Sequence, residues 1–112
     1  MGSEKEKAAA DYLKQQGYNI LETNFYTKFG EIDIVAEDEG YLVFAEVKYR
    51  TSEGSGLPEE ALTKQKIHKI CKSAGYYLMR KRLPDSTPVR FDVVAIEKNE
   101  IRLHKNAFSY SG

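Results

Sequence analysis

Four charged residues stand at alternate positions in two neighbouring segments. Glu31 and Asp33 lie in Gly30-Glu31-Ile32-Asp33-Ile34-Val35, and Glu46 and Lys48 in Val43-Phe44-Ala45-Glu46-Val47-Lys48-Tyr49-Arg50. Their flanks are rich in β-formers, which predicts strands at Glu31–Glu37 and Tyr41–Tyr49 joined by a turn at Asp38-Glu39-Gly40. Side chains alternate along a strand. Leu42, Phe44, Glu46 and Lys48 are therefore expected on one face, with Val43, Ala45 and Val47 on the other. Glu31, Asp33 and Val35 are expected to share a face opposite Ile32, Ile34 and Ala36. A two-residue turn at Glu39-Gly40 pairs Asp38 with Tyr41, Asp33 with Glu46 and Glu31 with Lys48. A four-residue loop pairs Glu31 with Glu46. Either arrangement puts all four charges on one face, whereas a three-residue loop separates Asp33 from Glu46.

Carboxylates facing each other across a strand pair are destabilising. In a partly buried setting they repel, or one takes up a proton. A divalent cation removes the conflict. Asp33 and Glu46 are the candidate metal ligands, with the backbone carbonyl of Val47 as a further one, and an all-oxygen set points to Mg²⁺ or Mn²⁺. Lys48, two residues from a ligand, is placed to orient an attacking water and to stabilise charge growing on a pentavalent phosphorus. The metal would polarise the phosphoryl oxygen and lower the pKa of that water. This is the chemistry of phosphodiester cleavage. The competing explanation is a salt-bridged hairpin in which Lys48 neutralises Glu31 or Glu46 without metal. Against it, the acids end apolar strands, where a packing residue would serve stability better.

Other elements must position this hairpin. Glu4–Gln16 is rich in Ala, Lys, Glu and Leu and stops at Gly17, which predicts a helix with Ala9, Ala10 and Leu13 as its apolar face. Glu6 lies on the same side and is a candidate third carboxylate. Tyr18–Tyr26 is expected to be a strand. Thr51–Leu57 reads as a mobile loop. Pro58, followed by Glu59 and Glu60, is expected to start a helix running to about Arg82, with Ile67, Ile70, Cys71, Ala74, Tyr77 and Leu78 as the buried stripe. Lys64, at the edge of that stripe, is a candidate to reach the site. Pro84–Pro88 reads as a loop, and Val89–Glu97 and Glu100–Lys105 as a hairpin about Lys98-Asn99. The predicted order is αβββαββ. Asp92 is expected to be a hydrogen-bonding core residue rather than a catalytic one. His68 and His104 are read as surface groups.

The 112 residues suit one compact domain, and 41% hydrophobic residues are enough for one core. No apolar run approaches the roughly 20 residues needed to span a bilayer. Met1 to Lys7 is charged and does not read as a secretion signal. The single cysteine, Cys71, fits a reducing cytoplasm, and one Cys with two separated His makes a structural zinc site improbable. Net charge is zero, but its distribution is uneven. Residues 1–40 carry nine acids against four lysines, whereas residues 64–82 carry seven basic residues and no acid. That basic run is either a solvated helix face or a phosphate-tracking surface. The candidate nucleic-acid contacts are Arg50, Lys64, Lys66 and Tyr49.

The paired Gly30-Glu31-Ile32-Asp33 and Glu46-Val47-Lys48-Tyr49-Arg50 motifs resemble those of the UPF0102 (YraN-like) family of bacterial proteins. The likeness extends through Glu6, Ala9-Ala10, Tyr12-Leu13 and Gly17-Tyr18. It continues at Lys64, Ala74 and Tyr77-Leu78, then Arg90-Phe91-Asp92-Val93-Val94 and Asn106-Ala107-Phe108, so nearly the whole chain is covered. The resemblance implies a restriction-endonuclease-like α/β fold of the PD-(D/E)xK superfamily. That fold has an αβββαβ core with a mixed central sheet flanked by helices, here with an extra C-terminal strand. It also implies that Asp33, Glu46 and Lys48 are the superfamily's acidic-acidic-lysine set. Ile32 replaces the proline of the superfamily's name, and Ala45 a commoner Val. Small Holliday-junction resolvases look nearest in size. The expectation is thus a Mg²⁺- or Mn²⁺-dependent nuclease acting on DNA, with Glu31, Glu6 and Lys64 assisting. One site cuts one strand, so a duplex or junction substrate would favour a homodimer. The alternatives are a non-catalytic nucleic-acid-binding module on the same fold, and a protein-interaction adaptor.

Overall fold

The computed structural model describes residues 3–50 and 62–110. The expected loop Thr51–Leu57 and the expected helix start at Pro58 lie outside the described residues. The elements are α1 (Ser3–Gln15), β1 (Asn19–Thr27), β2 (Gly30–Asp38), β3 (Tyr41–Arg50), α2 (Lys64–Arg80), β4 (Val89–Glu97) and β5 (Glu100–Phe108). The αβββαββ order is as predicted. The five strands form one sheet in sequence order. β1, β2 and β3 are antiparallel neighbours, β4 runs parallel to β3, and β5 returns antiparallel to β4. A parallel pair needs a crossover, and α2 lies within it.

Each helix covers one face. Ala9, Ala10 and Leu13 of α1 pack with Ile34, Ala36, Val43, Ala45, Val94 and Ile96. Ile70, Cys71, Ala74, Tyr77 and Leu78 of α2 pack with Phe25, Ile32, Val35, Leu42, Phe44 and Phe91. Burial on both sides explains why β3 and β4 read as long apolar runs. Ile67 is only partly buried, and Ser73, polar and absent from the predicted stripe, is fully buried.

Local chemistry sets the ends. Gly17 has φ +96 at the end of α1. There Gly17 N–H donates to the Lys14 carbonyl and Tyr18 N–H to that of Leu13, both at 3.0 Å, the Schellman pattern that favours glycine. The β2–β3 turn has φ +55 at Glu39 and +86 at Gly40, the two-residue hairpin geometry. It pairs Asp38 with Tyr41, as expected for the shorter loop. α2 departs from expectation at its start. Leu62 and Thr63 are not helical, and Thr63 is the N-cap, its hydroxyl accepting from Lys66 N–H at 3.1 Å. A capping hydroxyl satisfies an amide that the first turn leaves open, so α2 begins at Lys64, and the break at Leu62-Thr63 means that one unbroken helix to Arg82 does not form. β5 runs to Phe108, three residues beyond the expected Lys105, because Phe108 pairs with Phe91 and stacks on its ring at 4.8 Å.

A candidate metal centre where the sheet opens

The strict alternation expected for β2 fails at Asp33. Ile32 packs with Val35 beneath α2, three residues apart, while Ile34 and Ala36 pack beneath α1. The neighbouring strand is irregular at the same level. Asn24 has φ +55 and lies between the pairs Thr23↔Ile34 and Phe25↔Ile32. Pairing of β2 with β3 ends at Ile34↔Ala45. Beyond it, Val47 N–H donates to Asp33 Oδ2 at 2.8 Å, so a side chain takes the place of the next rung. Irregularities of this kind re-aim side chains at the rim of a sheet.

The consequence is a correction. Glu31, Asp33 and Val35 do not share a face, and the four charges do not lie together on one side. Glu31 turns toward α1, where Asn24 Nδ2 donates to Glu31 Oε2 at 2.7 Å and to Glu6 Oε1 at 2.8 Å. Carboxylate oxygens of Glu6, Glu31 and Asp33 all fall within 4.8 Å of one another. Glu46 and Lys48 continue the α2-facing series of Leu42 and Phe44. Glu46 Oε2 accepts an ion pair from Lys66 at 3.1 Å and one from Lys48 at 3.3 Å. Asp33 stands between the two groups, in the gap where the strands part. A cleft of about 240 Å³ opens there, lined by Lys5, Glu6, Asp33, Glu46, Val47, Tyr49 and Lys66. Larger hollows lie elsewhere.

The electrostatics are unbalanced. Among the described residues, no lysine or arginine pairs with Glu6, Glu31 or Asp33. The Asp33 carboxyl is pushed up to about 7, chiefly by burial and then by the charge of Glu46, against the opposing hydrogen bond from Val47. Tyr26, exposed beside these acids, has its phenol raised mainly by the charge of Glu31. The Lys48 ammonium is lowered by burial and by neighbouring Lys66, with Glu46 opposing. Half the site is thus over-supplied with negative charge, while the other half crowds two ammonium groups on one buried carboxylate. An all-carboxylate cluster with a strained proton balance fits a hard divalent cation. Glu6, Glu31 and Asp33 could offer such an ion three converging oxygens, and Glu46 and Val47 line the adjoining cleft.

The remaining candidates are placed as follows. Lys64 is the first residue of α2 and is exposed; the lysine that reaches Glu46 is Lys66, two positions on. Tyr49 is 40% exposed, and Lys5 Nζ lies 4.0 Å above its ring. The Arg50 side chain lies outside the described residues. His68 and His104 are both exposed. Asp92 is fully buried and is a core hydrogen-bonder, accepting from Tyr18 Oη at 2.6 Å, from Arg90, and from Asn106 N–H at 2.9 Å. Sequence reasoning missed Asn24, Lys66 as the partner of Glu46, and Tyr26. Only Lys66 had a legible signal: it stands four residues before buried Ile70, on the inward side of α2.

Fold and site together define a mixed α/β domain with an αβββαβ core that gathers carboxylates and lysines where its central strands separate. Residues 5–96 match the model of a family described as Uncharacterised protein family UPF0102. The chain is 59% identical over 111 residues to a UPF0102 protein of Lachnoclostridium phytofermentans, covering 99% of this chain and 94% of that one. It is 48% identical over 108 residues to UPF0102 protein THEYE_A1950 of Thermodesulfovibrio yellowstonii, with 96% and 95% covered. It is 47% identical over 107 residues to a UPF0102 protein of Persephonella marina, with 96% and 91% covered. The chain belongs to the UPF0102 family.

Proposed function

We propose that this UPF0102 protein is a metal-dependent nuclease that hydrolyses phosphodiester bonds, with DNA of branched structure as its substrate. The observation that carries this reading is the convergence of Glu6, Glu31 and Asp33 within 4.8 Å beside a lysine pair held over Glu46. Agreement of the αβββαβ order with the restriction-endonuclease-like superfamily supports it. So does the coincidence of that superfamily's acidic-acidic-lysine set with Asp33, Glu46 and Lys48.

Glu6, Glu31 and Asp33, with Glu46 and the Val47 carbonyl adjoining, would hold Mg²⁺ or Mn²⁺. Such an ion supplies Lewis-acid polarisation of a phosphoryl oxygen and acidifies bound water. Lys48 is held at the far side of Glu46 by a 3.3 Å ion pair. From there its ammonium orients the attacking water and neutralises charge that grows on the phosphate in the transition state. Its lowered pKa reflects burial and the neighbouring Lys66 ammonium, against the pull of Glu46, and a phosphate would add negative charge beside it. Lys66 provides a second ammonium within reach of the same carboxylate, and Tyr49 and Arg50 border the exit of β3. Asn24 fixes the orientation of two carboxylates from behind, as outer-shell partners of metal ligands do. One site cuts one strand, so cleavage of both strands of a duplex would call for a second copy of the chain.

A specific observation also favours a non-catalytic reading. Lys48 already neutralises Glu46, as a salt-bridged module would have it. The two separate cleanly. Purified protein is incubated with plasmid, single-stranded, junction and transfer-RNA substrates, with and without Mn²⁺. Cleavage that requires Mn²⁺ supports the nuclease. Salt-sensitive binding without turnover supports the binding module and overturns the nuclease.

A further inference from the structure

Beside the acids runs a second cleft, of about 340 Å³, between the β1–β2 turn and the first turns of α2. Phe29, Gly30 and Glu31 form one wall, and Lys66, Lys69 and Ile70 are on the other. It shares Lys66 with the cleft of the acids, and Glu31 belongs to their cluster. The two hollows therefore adjoin.

Its chemistry differs from that of the acid site. The Phe29 ring is half-buried, with Lys28 Nζ 5.4 Å and Lys72 Nζ 5.9 Å from its centroid. Lys66, Lys69 and Lys72 recur every three residues, so they form one ridge over about 9 Å of helix axis. Among these cations only Lys66 has a carboxylate ion-pair partner within the described residues.

The turn that carries Phe29 is held in place. Thr27 Oγ1 accepts from Phe29 N–H at 2.9 Å and from Gly30 N–H at 3.1 Å. The same hydroxyl bonds the Ser73 hydroxyl at 2.9 Å, tying the turn to α2. This gives the fully buried Ser73 its purpose. An aromatic ring is thus fixed opposite a row of ammonium groups, at the threshold of the acids.

We propose that this cleft binds a single-stranded nucleic-acid segment leading into the acid site. A base stacks on Phe29, and its backbone follows Lys66, Lys69 and Lys72. The proposal rests on the nuclease reading of the adjoining acids and narrows it to substrates with an unpaired arm. A duplex is disfavoured because its bases are already stacked on one another and are not free to stack on a half-buried ring in the wall of a cleft. One aromatic platform with one cationic ridge is the pattern of single-strand recognition.

The test is fluorescence anisotropy of the full chain in EDTA, where binding is read without turnover. The probes are labelled oligodeoxythymidylate, oligouridylate and a blunt duplex of equal length. The single strands should bind at least tenfold tighter than the duplex. The better of the two names DNA or RNA. Phe29→Ala should weaken single-strand binding by about 5- to 150-fold, the range for loss of one stacked base, with duplex affinity within twofold and an unchanged melting temperature. Phe29→Tyr should restore it. Lys69→Gln and Lys72→Gln should each reduce the slope of log affinity against log salt by about 0.7. Equal affinity for duplex and single strand, or an unmoved affinity in folded Phe29→Ala, overturns the proposal. If Phe29→Ala fails to fold, an unchanged salt slope in both lysine variants overturns it. Strand binding in EDTA with no cleavage in Mn²⁺ refutes the nuclease reading alone. Cleavage of duplex that is indifferent to Phe29→Ala refutes the cleft alone.

Discussion

Asp33→Asn is expected to stabilise the metal-free fold while abolishing metal-dependent activity. The Asp33 carboxyl is raised from 3.8 to about 7, first by burial and then by Glu46. At about 1.4 kcal/mol per pKa unit, a shift of that size caps the effect near 4 kcal/mol. The carboxyl keeps some solvent contact and titrates together with its neighbours, so about 1–3 kcal/mol is expected. Asparagine has the same shape and keeps an oxygen for the Val47 N–H, but carries no charge. Because the folded pKa lies above the unfolded one, the stability gained by protonating Asp33 is fully present below pH about 4. It is lost as pH rises through about 7. The advantage of the variant should therefore be largest above pH 7 and shrink steadily toward pH 4. Urea unfolding followed by circular dichroism at pH 4.5, 6 and 8, without metal, measures it. Adding Mn²⁺ should raise the wild-type melting temperature and leave the variant's almost unmoved. A variant less stable than wild type at pH 8, or a gap that does not change with pH, would refute the account of Asp33 as an uncompensated buried carboxylate.

Asn24→Gly keeps the left-handed backbone permissible but removes the amide that joins Glu6 to Glu31. Mn²⁺ affinity by calorimetry should fall about 10- to 100-fold, the usual effect of losing an outer-shell partner. Arg90→Met removes the guanidinium that bonds buried Asp38 and Asp92 at 2.8 Å each through Nη2, leaving Asp38 with Lys105 and Asp92 with Tyr18 and the Asn106 N–H. The expected cost is about 3–5 kcal/mol in urea unfolding. Arg82 follows the C-cap Lys81 of α2 with φ +57 in a Schellman ending, where Leu83 N–H donates to the Leu78 carbonyl at 2.9 Å. Arg82→Gly should relieve about 1 kcal/mol of left-handed strain and raise the melting temperature.

Much of this was legible before the fold was seen, for physical reasons. Gly17 and Glu39-Gly40 mark their turns because few residues accept positive φ. The apolar runs of β3 and β4 announce strands buried on both faces. The Asp38↔Tyr41 register follows from the shortest favourable hairpin turn. The face of each acid did not follow. Period-two counting assumes an unbroken strand, and the irregularity at Asn24 and Asp33 moves Glu31 to the other side of the sheet. Nothing local in Ile32-Asp33-Ile34 encodes that, because it depends on two strands together. One unbroken helix from Pro58 to Arg82 does not form, because Leu62 and Thr63 are not helical. Thr63, a plain N-cap three residues before Lys66, starts α2. The choice between Lys64 and Lys66 turned on helical phase. Aligned to Ile67, which is only half-buried, Lys64 looks inward; aligned to buried Ile70, Ala74 and Tyr77, Lys66 does. Arg90 read as a motif residue rather than as the centre of a buried network, since its partners Asp38 and Tyr18 are remote in sequence.

The central claim is that the acids hold a divalent cation while Lys48 serves the reacting phosphate. Lys48→Ala separates these roles. Mn²⁺ binding by calorimetry and single-turnover cleavage of a branched DNA substrate are measured on the same folded preparation. The account predicts Mn²⁺ affinity close to that of the wild type, with a cleavage rate at least about 10²-fold lower, the scale on which preorganised charge stabilisation acts. Wild-type protein that binds Mn²⁺ without cutting any substrate, or a Lys48→Ala variant that cuts at the wild-type rate, would contradict it.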